Sequence, residues 1–276
     1  YLETNFDPLQ AVQGDSTDEN FISGGSGNDT IYGGLESDQI WGDDRKNPND
    51  GGADTIWGLG GDDTIDAGVG DDVAYGGAGA DVLFGRSGDD ELHGGEHSDT
   101  LDGGADDDKL FGESGTDIFI GGSGDDELHG GADDDLAYWE SADGSDVFFG
   151  GAGNDEISFR AYTFNPENFG ATDQEANPYV VDDSLADKVT LTPTATDDVG
   201  STLNVGIDWV RGAEARHFSL ADVEKVMLDT GEGADEVLVE HSLDNTAVEA
   251  LVIDTGMKRT LVDEVRYARN GNADDP

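Results

Sequence analysis

The sequence predicts an all-β fold: a right-handed parallel β-roll (a β-solenoid) of stacked 18-residue coils, continued or capped by a wider β-helical, β-rich C-terminal region. Three observations predict it. Fourteen near-copies of a nine-residue phrase, Gly-Gly-x-Gly-x-Asp-x-U-x with U a large apolar residue, run from Gly24 to Ser158. Position 6 stays acidic and position 8 apolar, as in Gly24-Gly25-Ser26-Gly27-Asn28-Asp29-Thr30-Ile31-Tyr32 and Gly76-Gly77-Ala78-Gly79-Ala80-Asp81-Val82-Leu83-Phe84. Beyond Phe159, Val223-Glu224-Lys225-Val226-Met227-Leu228-Asp229-Thr230-Gly231 is echoed 25 residues later by Val248-Glu249-Ala250-Leu251-Val252-Ile253-Asp254-Thr255-Gly256.

Residues 1–23 read as a degenerate lead-in, with Asn20 and Ile22 at the acidic and apolar positions. Residues 24–158 are the roll. Each repeat divides into a six-residue turn and a three-residue strand. Glycines at positions 1, 2 and 4 permit backbone angles, including φ > 0, that other residues adopt at a cost. They also let carbonyl groups converge on one point. Position 8 points inward and holds Ile31, Ile40, Ile56, Ile65, Leu83, Leu92, Leu101, Leu110, Phe119, Leu128, Phe148 and Ile157, with Ala74 and Ala137 as small exceptions. Two repeats make one coil, so repeat n stacks on repeat n+2 at a strand spacing of about 4.8 Å. Two insertions, Asp44 to Asp50 and the pair Trp139-Glu140, fall at turns or strand ends, where a solenoid extrudes a loop without disturbing its stack.

Residues 159–186 read as a connecting segment and 187–276 as a β-rich region with coils of about 25 residues. An Asp-Glu-Val follows each echo, at Asp235 and Asp263, and Asp187-Lys188-Val189 stands 48 residues before Asp235. Leu203, Val205, Ile207 and Trp209 alternate with Asn204, Gly206 and Asp208, the pattern of a half-buried strand. We read these as wider coils continuing the stack; a separate small β-rich cap is the alternative. Composition divides the chain at the same place. Of 42 glycines 34 precede Phe159, whereas 9 of the 13 Lys+Arg follow it.

The formal net charge is −51, from 64 Asp+Glu against 13 Lys+Arg. That excludes nucleic acid as a partner, since phosphate binding needs the opposite sign. With only 35% hydrophobic residues the chain would read as disordered if its carboxylates were scattered. They recur in register with the glycines, and that pattern asks for a divalent cation. There are no cysteines, so neither a disulfide framework nor a thiolate site is available. No apolar stretch is long enough to span a membrane and no secretory signal opens the chain. It starts at Tyr1, and we read it as a segment of a longer protein whose export signal would lie outside it.

Stacking brings each position-6 aspartate to the one two repeats on. One edge carries Asp29, Asp54, Asp72, Asp90, Asp108, Asp126 and Asp146; the other carries Asp38, Asp63, Asp81, Asp99, Asp117, Asp135 and Asp155. Six gaps on each edge give up to about 12 sites, and carboxylates with backbone carbonyls suit the oxygen-only, 6–8-coordinate preference of Ca²⁺. Mg²⁺ wants a tighter octahedron, and zinc wants His or Cys. Two unit charges about 5 Å apart repel by roughly 3 kcal/mol at an effective dielectric near 20. One inward Leu or Ile per repeat contributes at most roughly 3 kcal/mol. About 12 Ca²⁺ would bring the charge from −51 to about −27 and place the positive charge where repulsion is worst. The chain is therefore expected to fold with calcium and to unfold largely without it. Extracellular calcium modules bind at about 10⁻⁴–10⁻³ M, so the cytosol should leave it open and the exterior should close it.

These repeats resemble the RTX (repeats-in-toxin) family of type I-secreted bacterial proteins, over residues 24–158. The resemblance implies export as an unfolded chain and calcium-triggered folding outside the cell. It also implies that carbonyls of positions 1 and 3, such as Gly76, Ala78, Gly85 and Ser87, join the aspartates as ligands. Glu36, His97, Asp106 and Asp133 replace the position-4 glycine, and those turns are expected to bind more weakly or to adjust their backbone. After Phe159 only Gly231-Glu232-Gly233-Ala234-Asp235 matches the family's pattern.

Position 9 faces outward. On one face it reads Tyr32, Trp57, Tyr75, His93, Phe111, His129, Phe149, a ring in every coil; on the other, Trp41, Asp66, Phe84, Asp102, Ile120, Tyr138, Ser158. The ring ladder either stacks coil on coil or forms a contact surface for a glycan or protein partner. On the second face Ile118, Ile120, Leu136 and Tyr138 form an apolar cluster that the segment 160–183 is expected to cover. Position-5 acids, as in Asp62-Asp63, Asp89-Asp90 and Asp125-Asp126, are expected to be solvated. His217 and His241 lack a nucleophile partner, and no Gly-x-Ser-x-Gly elbow, His-Glu-x-x-His or phosphate loop is present, so no enzyme activity is expected in this segment. The leading functional expectation is a calcium-binding structural module of a larger extracellular or bacterial cell-surface protein, acting as rigid spacer, adhesion or matrix element. The alternatives are a module appended to a secreted enzyme or toxin, and a self-assembling fibre subunit whose open ends pair.

Overall fold

The computed structural model of the protein describes residues 2–3, 11–13, 19–44, 51–140 and 144–160, and the strands 187–194, 204–211, 214–221, 225–229, 236–239, 250–254 and 264–267; side chains are described within 19–44, 51–139 and 144–158. Strands alternate between two sheets. In the first, Phe21–Gly25, Gln39–Asp43, Thr64–Val69, Val82–Ser87, Thr100–Ala105, Ile118–Ser123, Leu136–Glu140 and Glu156–Arg160 stack in that order, each parallel to the next. In the second, the order is Thr30–Gly34, Thr55–Gly60, Val73–Ala78, Glu91–Glu96, Lys109–Ser114, Glu127–Ala132 and Val147–Ala152. Successive repeats thus cross from one sheet to the other, and two repeats close one coil.

The pairing offset is 18 residues through the regular coils, as in Ala74–Leu92–Leu110. It becomes 25 across the Asp44–Asp50 insertion, where Ile40 pairs with Ile65, and 20 across Trp139-Glu140, where Ala137 pairs with Ile157. Both insertions leave the inward column in register. A one-residue slip would turn every inward residue to solvent, so the buried column fixes the register.

Two details differ from the sequence reading. Strands are six residues long, covering positions 7, 8, 9, 1, 2 and 3, so the turn proper is only positions 4 to 6. Moreover, the pairing passes over position 1: Glu91, Leu92, His93, Gly95 and Glu96 have partners in register, with Gly94 skipped. The strand bends there, because its far half must wrap toward the other sheet. The second difference is Trp139. It is no extruded insertion; it lies in the strand Leu136–Glu140 with only 2% of its surface exposed.

Every position-8 side chain in the roll is 2% exposed or less. Among the described residues these form most of the buried apolar column between the sheets, one per repeat, so each carries a large share of coil cohesion. Leu101→Ala in the calcium-loaded protein should cost about 2–5 kcal/mol, read as a shift in the denaturation midpoint. An unchanged midpoint would mean that the interior is not tightly packed there.

The C-terminal strands join the same two sheets. Lys225–Asp229 pairs in parallel with Glu156–Arg160, and Ala250–Asp254 with Lys225–Asp229 at an offset of 25. In the second sheet Glu236–Val239 pairs in parallel with Asp187–Thr194 at an offset of 48, and Glu264–Tyr267 with Glu236–Val239. Between the roll and these strands the second sheet takes an unanticipated form: Asn204–Arg211 runs antiparallel to both of its neighbours, Asp187–Thr194 and Glu214–Ala221. Glu214–Ala221 then pairs in parallel with Val147–Ala152. The expected cover over the Ile118 cluster, the segment 160–183, lies outside the described residues. Among the described residues, no helix is long and apolar enough to cross a membrane.

Candidate metal centre

The turns lie along the two edges of the roll, and each edge carries one row of position-6 aspartates. Every one of the fourteen is 5% exposed or less. Their two carboxylate oxygens are used differently. Oδ1 accepts the main-chain N–H of the aspartate one coil earlier: Asp54 N–H donates to Asp72 Oδ1 at 2.6 Å, Asp72 N–H to Asp90 Oδ1 at 2.8 Å and Asp90 N–H to Asp108 Oδ1 at 2.8 Å. On the other edge Asp63, Asp81 and Asp99 donate in the same way to Asp81, Asp99 and Asp117 at 2.7–2.8 Å. This ladder aligns the coils and orients each carboxylate.

Oδ2 has no such partner. In Asp29, Asp38, Asp54, Asp63, Asp72, Asp81, Asp90, Asp99, Asp108, Asp117, Asp126 and Asp135 it is buried without a hydrogen bond. Leaving a buried acceptor unsatisfied costs about 1–3 kcal/mol, and more for a charged group. Twelve of them in one small domain require an explanation.

The position-1 glycine supplies it. A Cβ placed on Gly103 would run into Asp108 Oδ2 and lie 2.6 Å from the Gly121 carbonyl oxygen. A Cβ on Gly58 would meet Asp63 Oδ2 and the Gly76 carbonyl in the same way, and one on Gly112 would meet Asp117 Oδ2 and the Gly130 carbonyl. One aspartate oxygen and the position-1 carbonyl of the next coil therefore close on a single space that glycine keeps clear. This corrects the reading of that glycine: positive φ is needed at positions 2 and 4, as at Gly77 (112°) and Gly79 (145°), while position 1 is glycine for room. The bend that skips position 1 in the pairing also frees its carbonyl to face the cradle.

Position-3 carbonyls are already engaged, Ala78 O by Gly61 N–H at 2.8 Å and Ser87 O by Gly70 N–H at 2.9 Å. A carbonyl has two lone pairs, so each keeps one acceptor site. Gly85 occupies the same register place as Gly76. Among the described residues no three His, Cys, Asp or Glu side chains converge. A cation in these cradles would therefore take most of its ligands from main-chain oxygen, a hard donor set.

Without a cation the carboxylates resist ionisation. Burial pushes Asp54, Asp63, Asp90, Asp99 and Asp146 up to about 8 and Asp108 to about 9, with neighbouring aspartates adding to the rise and the main-chain N–H offsetting part of it. Asp72 and Asp135 reach about 7, and Asp29, Asp81, Asp117 and Asp126 about 6, again chiefly through burial.

The RTX calcium-binding nonapeptide repeat, in its four-copy form, matches residues 16–44, 50–74, 75–110, 111–138 and 141–159. This chain belongs to the RTX family. Its repeats are thus calcium-binding repeats, and calcium is the cation that the acidic cradles call for. No curated protein matches the chain.

Most departures from the RTX glycine pattern keep the backbone shape, whereas Glu36 at position 4 does not take a positive φ and its turn has an adjusted backbone. His97, Asp106 and Asp133 at position 4 hold φ of 81°, 78° and 78°, and Leu59, Arg86 and Glu113 at position 2 hold 81°, 86° and 73°. Each accepts the left-handed conformation at an energetic cost of order 1–2 kcal/mol that the stacked neighbours sustain.

Position 5 does more than meet solvent. Its side chains are exposed, yet Asp71, Asp89 and Asp107 Oδ1 accept the position-5 N–H of the next coil from Asp89, Asp107 and Asp125 at 3.1, 3.1 and 2.8 Å. A second hydrogen-bond ladder therefore runs outside the first. The sequence signal for it was present in the short polar residues Asn28, Ser37, Ser98 and Asp134, all able to bond a nearby N–H.

The ring ladder is continuous. Tyr32, Trp57, Tyr75, His93, Phe111, His129 and Phe149 stack with centroids 4.6–5.7 Å apart and planes within 17°. Each inner ring is covered on both faces by its neighbours, which leaves ring edges to solvent. On the opposite face Arg86 forms a two-pronged pair with Asp66, at 2.8 and 3.0 Å, and lies 4.5 Å over the Phe84 ring.

Proposed function

We propose that this chain is a calcium-binding structural module of a larger protein that works outside the cell or on a bacterial cell surface. It folds when it meets millimolar calcium and then serves as a rigid spacer or as an adhesion or matrix element. Its ligands are the position-6 aspartates, through Oδ2, with carbonyls at position 1 such as Gly76 and Gly85 and at position 3 such as Ala78 and Ser87. Loading reaches up to about 12 ions, the number of inter-coil gaps on the two edges.

The observation that carries this reading is the repeated orphan oxygen. Eleven of the twelve buried Oδ2 atoms face a space that a methyl group on the position-1 glycine would fill, and in nine of them a carbonyl of the next coil faces the same space; at Asp72 the position-1 residue is the buried Ala67. Hydrogen-bond donors could satisfy such oxygens, but among the described residues the apolar side chains buried between the sheets are Leu, Ile, Phe and Ala, with Trp139 the one that carries a donor. The stacked faces of the ring ladder favour coil-to-coil cohesion over a sugar platform, which would need an open ring face. Calcium bound per chain, measured by equilibrium dialysis, tests the ligand assignment. Asp108→Asn keeps the Oδ1 ladder and should lower the count by about one ion. An unchanged count would remove Asp108 from the ligand set.

A further inference from the structure

The position-1 column of the first sheet holds glycine, or alanine at Ala67, up to Gly121 and turns bulky and apolar at Trp139. In register from coil to coil it places Gly103, Gly121, Trp139, Phe159, Leu228 and Ile253. Glycine keeps the cradle open at the first two; a methyl at Gly121 would already meet Asp126 Oδ2. At the third the chain places an indole, 2% exposed, in the strand Leu136–Glu140. The coil that contains it is two residues longer than the regular ones, 20 against 18, which gives the room a bulky side chain needs.

The aspartate that belongs to this turn is Asp146. It is 3% exposed, and its Oδ1 accepts Asp126 N–H at 3.0 Å, as in every other rung. Unlike twelve of its counterparts, it has no orphaned Oδ2. Trp139 stands at the position-1 place of this turn, so a buried side chain that carries an N–H donor occupies the place where glycine leaves room elsewhere. Among the described residues Asp146 is the last position-6 aspartate on its edge, with Asp126 in the coil before it, and the second sheet then turns to the strand Glu214–Ala221.

We propose that Trp139 takes the place of a cation at Asp146. Its indole fills the final cradle of that edge and its N–H supplies the donor that the carboxylate needs, so the calcium array there ends at Asp126. A neutral donor is weaker than a divalent ion, and it suffices because the aspartates that repel the site, Asp126 and Asp125, both belong to the coil before it. From this step onward the register column is apolar, and stacking on this edge needs no metal. The inference rests on the calcium reading of the preceding section and marks where that reading stops.

Calcium bound per full-length chain at saturation decides it. Asp146→Asn should leave the count unchanged, as should Trp139→Phe, whereas Asp108→Asn should lose about one ion and Trp139→Gly should gain about one. Loss of an ion in Asp146→Asn overturns the role given to Trp139. If Asp108→Asn itself loses nothing, the ligand assignment of the array fails instead, and the two failures are distinct. Should Trp139→Gly not fold, the comparison of Asp146→Asn with Asp108→Asn still separates the outcomes.

Discussion

Chelation of calcium should abolish most of the β-sheet circular dichroism of this chain, and adding it back should restore the signal cooperatively. The magnitudes leave little room for another outcome. A domain is stable by about 5–15 kcal/mol in total. Each of twelve buried carboxylate oxygens without a hydrogen bond costs at least about 1–3 kcal/mol, and their sum exceeds that margin. Like charges stacked at strand spacing add to the penalty. Calcium binding free energy is therefore folding free energy here. The measurement is a calcium titration followed by far-UV circular dichroism, with limited proteolysis at each end. A chain that remains ordered and protease-resistant in excess EGTA would refute the central role of the metal.

The second large effect is one of pH. In the unfolded chain an aspartate carboxyl titrates near 3.8, and in the metal-free roll burial raises carboxyls such as Asp29, Asp81, Asp54 and Asp108 to between about 6 and about 9. A raised folded-state value means that the fold prefers the protonated form. Its stabilising contribution is fully present below about 3.8 and is lost as pH rises through the range from about 6 to 9. Without calcium, then, lowering the pH from 8 toward 4 should recover β structure. With calcium the sign reverses for binding: protons compete for the same oxygens, so the calcium midpoint should move to higher concentration as pH falls. Circular dichroism in EGTA across that range measures the first effect, and calcium titrations at pH 8 and 6 measure the second. If acid fails to restore any order to the metal-free chain, the orphaned carboxylates are not what keeps it open.

Much of this architecture is legible in the sequence because a solenoid repeats one local solution by translation. The spacing of Asp72, Asp90 and Asp108 is the pairing offset itself, and the inward column from Ile31 to Ile157 follows from position 8 alone. The echo between Val223 and Val248 likewise equals the offset of 25 that pairs Val226 with Leu251. What was not legible breaks the repetition. Trp139 looks like an inserted pair until the register shows that it stands where glycines stood. The antiparallel strands ending at Arg211 and starting at Glu214 occur once; their only local mark is Gly212-Ala213, a two-residue spacer with glycine first. The role of the position-1 glycine was misread for a different reason. Steric room depends on a neighbouring coil, and nothing within one nonapeptide reveals it.

Because the regular coils superimpose at 18 residues, with Glu91 standing beside Val73 and Asp90 beneath Asp108, the fold has no preferred length. Excising residues 73–90 would splice Asp72 to Glu91 and recreate the junction it removed, and duplicating them would do the same. Unequal crossing-over between repeats can therefore lengthen or shorten such a rod by whole units while every surviving neighbour keeps its partner. Reach becomes a heritable dimension that changes without any new structural invention.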